Sequence, residues 1–263
     1  MRKGALIYHY TNLNAFIKIL ESKKLWATSF LQLNDTSELI YFVNYIENEV
    51  LKYDSRENNS RLKEKIIEVF RQVKSSMYTE QGYCFVTSFS KLCDDAAQWE
   101  RYGDNGCGIS IGFNYDKLNK FMSMNNSSLR EVQYQINKKM TRAFYGIIER
   151  KTNEDTLEAF NELLLTIAAR HKHKSFVQEK EVRIISTKYF NTSFNTRVIN
   201  NTIKSYQEID LAEYINIKFE DLIEEIVIGP RATFGINELF SLLNQNNVIL
   251  NKVKIKKSDC PLR

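Results

Sequence analysis

Two stretches of this 263-residue chain gather side chains that could do chemistry. The first, Tyr83 to Phe113 (YCFVTSFSKLCDDAAQWERYGDNGCGISIGF), reads as strand, helix, strand. In the strand Tyr83 to Ser90, alternation sets Phe85, Thr87 and Phe89 on one face and Cys84, Val86, Ser88 and Ser90 on the other, a surface rich in hydroxyls and free of charge. Asp94 or Asp95 can cap a short helix on which Gln98, Trp99 and Tyr102 crowd one side, so two large rings stand near those hydroxyls. The same rings also read as core filling of an amphipathic helix. Gly103, Gly106, Gly108 and Gly112, four of the nine glycines, permit a tight turn and close backbone approach to a ligand or to another strand. The second stretch is Ser175 to Ser186, SFVQEKEVRIIS. A strand over Gln178 to Ile185 would put Glu179, Glu181 and Arg183 on one face and Val182 and Ile184 on the other. Two carboxylates and a guanidinium then line up, as a functional set or as a solvated cross-strand charge ladder on a sheet edge.

Other elements must hold these groups. Leu6 to Thr11 predicts a strand, and Thr11 or Asn12 can cap a helix whose stripe is Leu13, Phe16, Ile17 and Leu20. Leu25 to Thr28 reads as a very short strand. Asp35 and Glu38 resemble a capping box for a helix buried through Leu39, Phe42, Val43, Ile46 and Val50, and a further helix carries Leu62, Ile66, Val69, Phe70, Val73 and Met77. Asn114 to Met124 is ambiguous, Glu131 to Gln135 could be a strand, and two helices follow, the second from about Glu154 to Lys172 with His171 continuing its apolar stripe. His171 therefore reads as a structural imidazole, and His173 as an exposed side chain rather than a metal ligand. Strands at Ile223 to Ile228 and Val253 to Ile255 enclose a helix from Gly235 to Leu243. Asp54 to Ser60 and Asn191 to Asn201 read as loops, and with two prolines and no linker composition the chain is expected to form one domain.

Composition excludes little. Lys plus Arg number 37 against 32 Asp plus Glu, a net charge of +5, which suits nucleotide or nucleic-acid binding without requiring it. The N-terminus MRKGALIYHY lacks the long apolar run of a secretion signal or membrane span, so the expected location is the cytoplasm, with no membrane partner. Cys84, Cys93, Cys107 and Cys260 form no CxxC pair, which argues for reduced thiols and against a metal site. No GxGxxG links a strand to a helix and no Walker-type GxxxxGK occurs, so a Rossmann dehydrogenase and a P-loop ATPase are poor readings. A cysteine hydrolase is also weak, since Cys84 and Cys107 have no recognisable partner.

The order YHYT, NDTSE, CFVTSFS, QWERYGDNGCGISIGF, QEKEVRI, EIVIGP and SDCPLR resembles the bacterial domain-of-unknown-function 2971 family, DUF2971, over nearly the whole chain. That family in turn is similar to a diverged branch of the ADP-ribosyltransferase superfamily. The resemblance implies an α+β fold, a compact core of mixed, mainly antiparallel strands with flanking helices, spanning residues 1–263 with helical insertions at about 36–77 and 138–173. It implies His9 on the first strand with Tyr10 and Thr11 beside it, a second element drawn from Thr87, Ser88 and Ser90 with Trp99 and Tyr102, and an acid that is Glu181 or Glu179.

The implied chemistry is scission of NAD, used as a substrate and without a metal. The ribose becomes oxocarbenium-like, so Glu181 would stabilise positive charge and hold a hydroxyl, as carboxylates do in glycosidases. Trp99 or Tyr102 would stack on nicotinamide, His9 would position a ribose hydroxyl, and Arg183 would meet the pyrophosphate or pair with Glu179. The implied partners are NAD, a protein or nucleic-acid acceptor, and an antitoxin or defence-system component, as for a toxin or phage-defence effector. An NAD glycohydrolase and a non-catalytic nucleotide or nucleic-acid binding module are the alternatives.

Overall fold

Strand β1 (Leu6–Thr11) leads through α1 (Leu13–Ser22) into β2 (Lys24–Ser29), and the way these three meet β3 (Cys84–Ser90) shapes the molecule. The computed structural model describes residues 2–33, 37–57, 60–79, 84–124, 127–135, 138–150, 160, 163–187, 194–199, 201–214, 216–248 and 253–262. Asn12 caps α1 by accepting from the Ala15 amide at 2.8 Å, and Lys23, with φ of 53°, ends it in the left-handed region. Phe16, Ile19 and Leu20 form the buried stripe that seats α1 on the sheet.

The remaining elements, in order, are α2 (Ser37–Glu57), α3 (Ser60–Thr79), α4 (Ala96–Tyr102), β4 (Ile109–Asn114), α5 (Tyr115–Met124), β5 (Ser127–Glu131), α6 (Lys138–Arg150) and a helical stretch over 163–168. A 3-10 turn at Lys174–Glu179 then precedes β6 (Glu181–Thr187), β7 (Asn195–Ile199) and β8 (Thr202–Asp210). After the small ribbon of β9 (Glu213–Tyr214) and β10 (Ile217–Lys218) come α7 (Phe219–Leu222), β11 (Ile223–Ile228), α8 (Ile236–Gln245) and β12 (Lys254–Lys257). The main sheet runs β12-β11-β4-β1-β3-β2-β8-β7, with β6 on β3 and β5 on β6; among the described strands only β11 and β12 pair in parallel. The fold is therefore α+β, with a mixed, mostly antiparallel sheet and flanking helices.

β3 is the hinge of this arrangement. One edge pairs with β6 along its whole length, from Cys84 opposite Thr187 to Ser90 opposite Glu181. The other edge is shared, because Tyr8 of β1 faces Ser90 while Thr28 and Ser29 of β2 face Val86 and Phe85. Between those contacts, Thr87 to Phe89 have no strand partner on that edge among the described residues. β1 and β2 are both antiparallel to β3, so they run parallel to each other and splay apart around α1, splitting the sheet.

Alternation distributes the apolar residues of β3 as its sequence predicts. Phe85 and Phe89 enter a cluster with Phe16, Ile111, Phe113, Ile184 and Leu239, whereas Cys84 and Val86 join Ile185 and the helices α2, α3 and α6 in a second one. The two expected helical insertions thus share one core. A third, smaller cluster on the opposite face of β1 joins Tyr8, Tyr10, Trp99 and Val227.

Four expectations need correction. Gln178 to Ile185 is not one strand: Lys180 adopts φ of 46° between the 3-10 turn and β6, so Glu179 does not share a strand face with Glu181 and Arg183. Asn195–Ile199, read as loop, is the strand that pairs with β8, an element the sequence reading omitted. Residues 54–57, also read as loop, lie in α2. β5 ends at Glu131, and beyond it only Gln133 bridges, to His171. The ambiguous Asn114 to Met124 resolves as the end of β4 and α5. The capping box of Asp35 and Glu38 lies outside the described residues.

Candidate functional site

The split opens as a cleft of about 410 Å³, within the range of small-molecule sites. β1 contributes Tyr8, His9, Tyr10 and Thr11, β3 contributes Thr87, Ser88 and Ser90, and α4 contributes Gln98, Arg101 and Tyr102. Glu179 and Glu181 close one wall; α1, β2 and β7 supply Lys18, Trp26 and Arg197 to the other.

His9 occupies the open edge of β3. Its Nδ1 lies 3.0 Å from the Ser88 carbonyl oxygen, which can only accept, so Nδ1 carries the proton and the ring takes the place of a missing strand partner. Burial holds the imidazole below its ordinary pKa, favouring the neutral ring and leaving Nε2 as an acceptor. Thr87 spans the split by donating to the Trp26 carbonyl at 3.3 Å. Ser90 donates to the Glu179 carbonyl at 2.8 Å, and Tyr10 donates to the Leu92 carbonyl at 2.8 Å while accepting from the Asp95 amide at 3.3 Å. These two hydroxyls are committed to holding the chain around α4, and burial raises the Tyr10 pKa.

The acidic wall is a charge network. Glu179 accepts from Arg101 and from Lys172, both at 2.7 Å. Glu181 accepts from Arg183 at 2.7 and 3.1 Å and from Lys172 at 3.3 Å, and its backbone amide donates to the Tyr134 hydroxyl at 2.9 Å. Burial alone would raise the Glu181 pKa, but Arg183 and Lys172, with hydrogen bonds from Arg183 and Ser88, outweigh it and hold the acid at about 2. Glu181 is thus an anion at neutral pH at the margin of the cleft.

Two proposed ligand contacts are corrected by burial. Trp99 is fully buried, edge-on to Tyr10 at 4.8 Å with its indole N–H on Asp94 at 2.7 Å, and it offers no face to the cleft. Arg183 is 2% exposed and spends its guanidinium on Glu181 and the Ala169 carbonyl, so it cannot reach a pyrophosphate. Tyr102, 42% exposed, remains as a ring at the cleft mouth. The ring that sequence reading passed over is Trp26. In KLWATS the core takes Leu25, Ala27 and Ser29, and Lys24, Trp26 and Thr28 face the cleft, an alternation already visible in the residue types. Arg197 was missed because β7 was read as loop.

Gly108 and Gly229 allow close approach to backbone. A methyl at Gly108 would run into the carbonyls of Thr11 and Gly103, and one at Gly229 into that of Gly106. His171 is buried, with Nδ1 donating to the Ile167 carbonyl at 2.7 Å, while His173 is half-buried and caps the 3-10 turn through Ser175. The four cysteines form no disulfide with one another. Among the described residues, no group of three or more His, Cys, Asp or Glu is placed to hold a metal, and no helix is long and apolar enough to cross a membrane.

Fold and cleft together define an α+β protein with a ligand-sized opening in a split sheet, charged on both walls. A family model described as a protein of unknown function, DUF2971, matches residues 98–184, the stretch from α4 into β6, and supports membership of that family. No curated protein and no solved structure matches the chain.

Proposed function

We propose that this protein is an NAD-consuming, ADP-ribosyltransferase-like enzyme that modifies a macromolecule. The observation that supports the reading most is the meeting, in one cleft and from the two edges of β3, of a neutral imidazole near the N-terminus and an ionised carboxylate past residue 180. In this reading nicotinamide lies against Tyr102, and the bond from ribose C1′ to the ring nitrogen breaks with its electron pair leaving on nicotinamide. The Glu181 carboxylate faces the oxocarbenium that results, and His9 Nε2 accepts a hydrogen bond from a ribose hydroxyl. The acceptor's nucleophile then bonds to C1′ and loses its proton to solvent.

The engagement of Glu181 by Arg183, Lys172 and Ser88 favours a second reading, a nucleotide-binding module without turnover, because a carboxylate so occupied has little capacity left for ribose. Incubating purified protein with NAD labelled in the adenylate half, with and without cell lysate, separates the two. Released nicotinamide with label on a macromolecule supports transfer; nicotinamide release without labelled acceptor indicates a glycohydrolase. Saturable NAD binding with no release leaves only the module. Glu181→Gln should abolish release, but it also strips Arg183 and Lys172 of a buried counter-charge and should cost about 3–5 kcal/mol, so its melting curve must accompany its activity. Retained release in a folded Glu181→Gln protein would remove Glu181 from the mechanism.

A further inference from the structure

With Arg183 sealed behind Glu181, the anionic middle of a dinucleotide needs another partner, and the opposite wall offers one. Of the four cations lining the cleft, Arg101 is paired with Glu179 and Lys24 with Glu208 at 2.7 Å. Lys18 and Arg197 have no carboxylate within ion-pair distance among the described residues. Both stand over the same indole: the Lys18 ammonium is 5.4 Å and the Arg197 guanidinium 4.9 Å from the centre of the Trp26 ring. Arg197 also lies 5.3 Å from Tyr206 and donates through Nη2 to the Thr28 hydroxyl at 2.9 Å, while its Nε is buried with no partner. A buried N–H without an acceptor is costly, and two like charges over one ring repel, so an incoming anion would relieve both. The first turn of α1, which reaches the cleft through Asn12 and Ala15, carries no acidic side chain and turns the positive end of its dipole to the same wall.

We infer that Lys18, Trp26 and Arg197 form the diphosphate subsite of a nucleotide, the two cations over the Trp26 indole holding the phosphates. The choice of an adenine nucleotide rests on the proposed NAD chemistry; the phosphate-binding assignment does not. In this assignment the phosphates lie on Lys18 and Arg197 and the nicotinamide ribose extends toward Glu181.

Trp26 supplies the readout, since the other tryptophan, Trp99, is fully buried. Titrating ADP into the intact protein should quench tryptophan fluorescence saturably, and Trp26→Phe should abolish the signal. Lys18→Gln and Arg197→Gln, neither placed in the bond-breaking machinery, should each weaken ADP binding at least tenfold. Arg197→Lys should recover part of the loss, and raising salt should weaken wild-type binding more than that of the Gln variants. Equal ADP affinity in wild type and in a folded double Gln variant would overturn the assignment. So would binding of a short single-stranded oligonucleotide at these residues with no ADP binding, since that makes the wall a polynucleotide surface. NAD cleavage is scored separately: ADP binding without nicotinamide release refutes the enzymatic reading and leaves the subsite standing. Nicotinamide release unaffected in both KM and kcat by the double variant refutes the subsite and leaves the enzyme standing.

Discussion

Glu181 and His9 carry opposite forms of one message, that folding has fixed their protonation. Glu181 is held at about 2 against an ordinary 4.5, so the fold favours its anion; its stabilising contribution is present above pH 4.5 and is lost as pH falls from there through about 2. His9 and His171 are both held below 6.5, mainly by burial, so the fold favours the neutral rings; that contribution is present above pH 6.5 and is lost as acid protonates the unfolded chain. Urea unfolding between pH 7.5 and 3 should therefore show stability declining from about pH 6.5, with a steeper loss below pH 4.5. His9→Asn should flatten part of the upper slope and leave the lower one, and a pH-independent midpoint would contradict the charge network. The two tryptophans separate by the same method. Trp99→Ala should cost about 3–5 kcal/mol as a core truncation, whereas Trp26→Ala, half-exposed in the cleft, should cost less than about 2 kcal/mol. Local sequence could not assign the role of Trp99, which QWERY sets between Gln98 and Glu100, whereas the alternation of KLWATS puts Leu25 and Ala27 on the face opposite Trp26. What decides is whether a third layer covers the ring, and Tyr8, Tyr10 and Val227 do so only for Trp99.

Elements with a strong apolar period were legible to within a residue or two. β1, α1, β11 and α8 follow stripes and caps that need no tertiary information. The hairpin β7–β8 was not, because its outward residues include exposed Val198 and Ile203 and its inward ones include Arg197, Lys204 and Tyr206, a pattern with no apolar face of its own. Its stability comes from pairing β8 with β2, a contact between residues about 180 positions apart. The split was equally hidden: nothing in CFVTSFS says that two strands will share one edge of it. One local feature does help fix the opening. Gly108 lets the loop after α4 press against the end of β1, where its amide donates to the Gly103 carbonyl at 2.9 Å. Gly108→Ala should force Thr11 and the α4 loop apart at a cost of about 1–3 kcal/mol, read as a melting point lower by several degrees. An unchanged melting point would show that the contact yields freely.

Across the whole molecule, the site depends on a tie between the end of the chain and its middle. Asp94, just before α4, accepts from the Trp99 indole at 2.7 Å, from the Ser258 hydroxyl at 2.5 Å and from the Asp259 amide at 2.8 Å. Ser258 in turn donates its amide to Ile228 at the end of β11, at 2.8 Å. A second tie runs in parallel, since Glu225 accepts from Tyr8 at 2.9 Å and pairs with Lys256 at 3.1 Å, so β12 grips both β11 and β1. The DD of the central segment and the SDCPLR of the tail, motifs about 160 residues apart, therefore form one structural unit, and α4 brings Arg101 and Tyr102 to the cleft only while that unit holds. Asp94→Ala would leave three donors without their acceptor, one of them on fully buried Trp99, and should cost about 2–4 kcal/mol, with Asp94→Asn recovering a part. Amide hydrogen exchange locates the effect. Residues 96–102 and 258–260 should exchange faster together in Asp94→Ala while the β3–β6 pair keeps its protection, because that pair is held by seven residues of ladder and by two separate cores. If α4 kept its wild-type protection while the tail alone loosened, Asp94 would be an anchor for the terminus and not a support of the site.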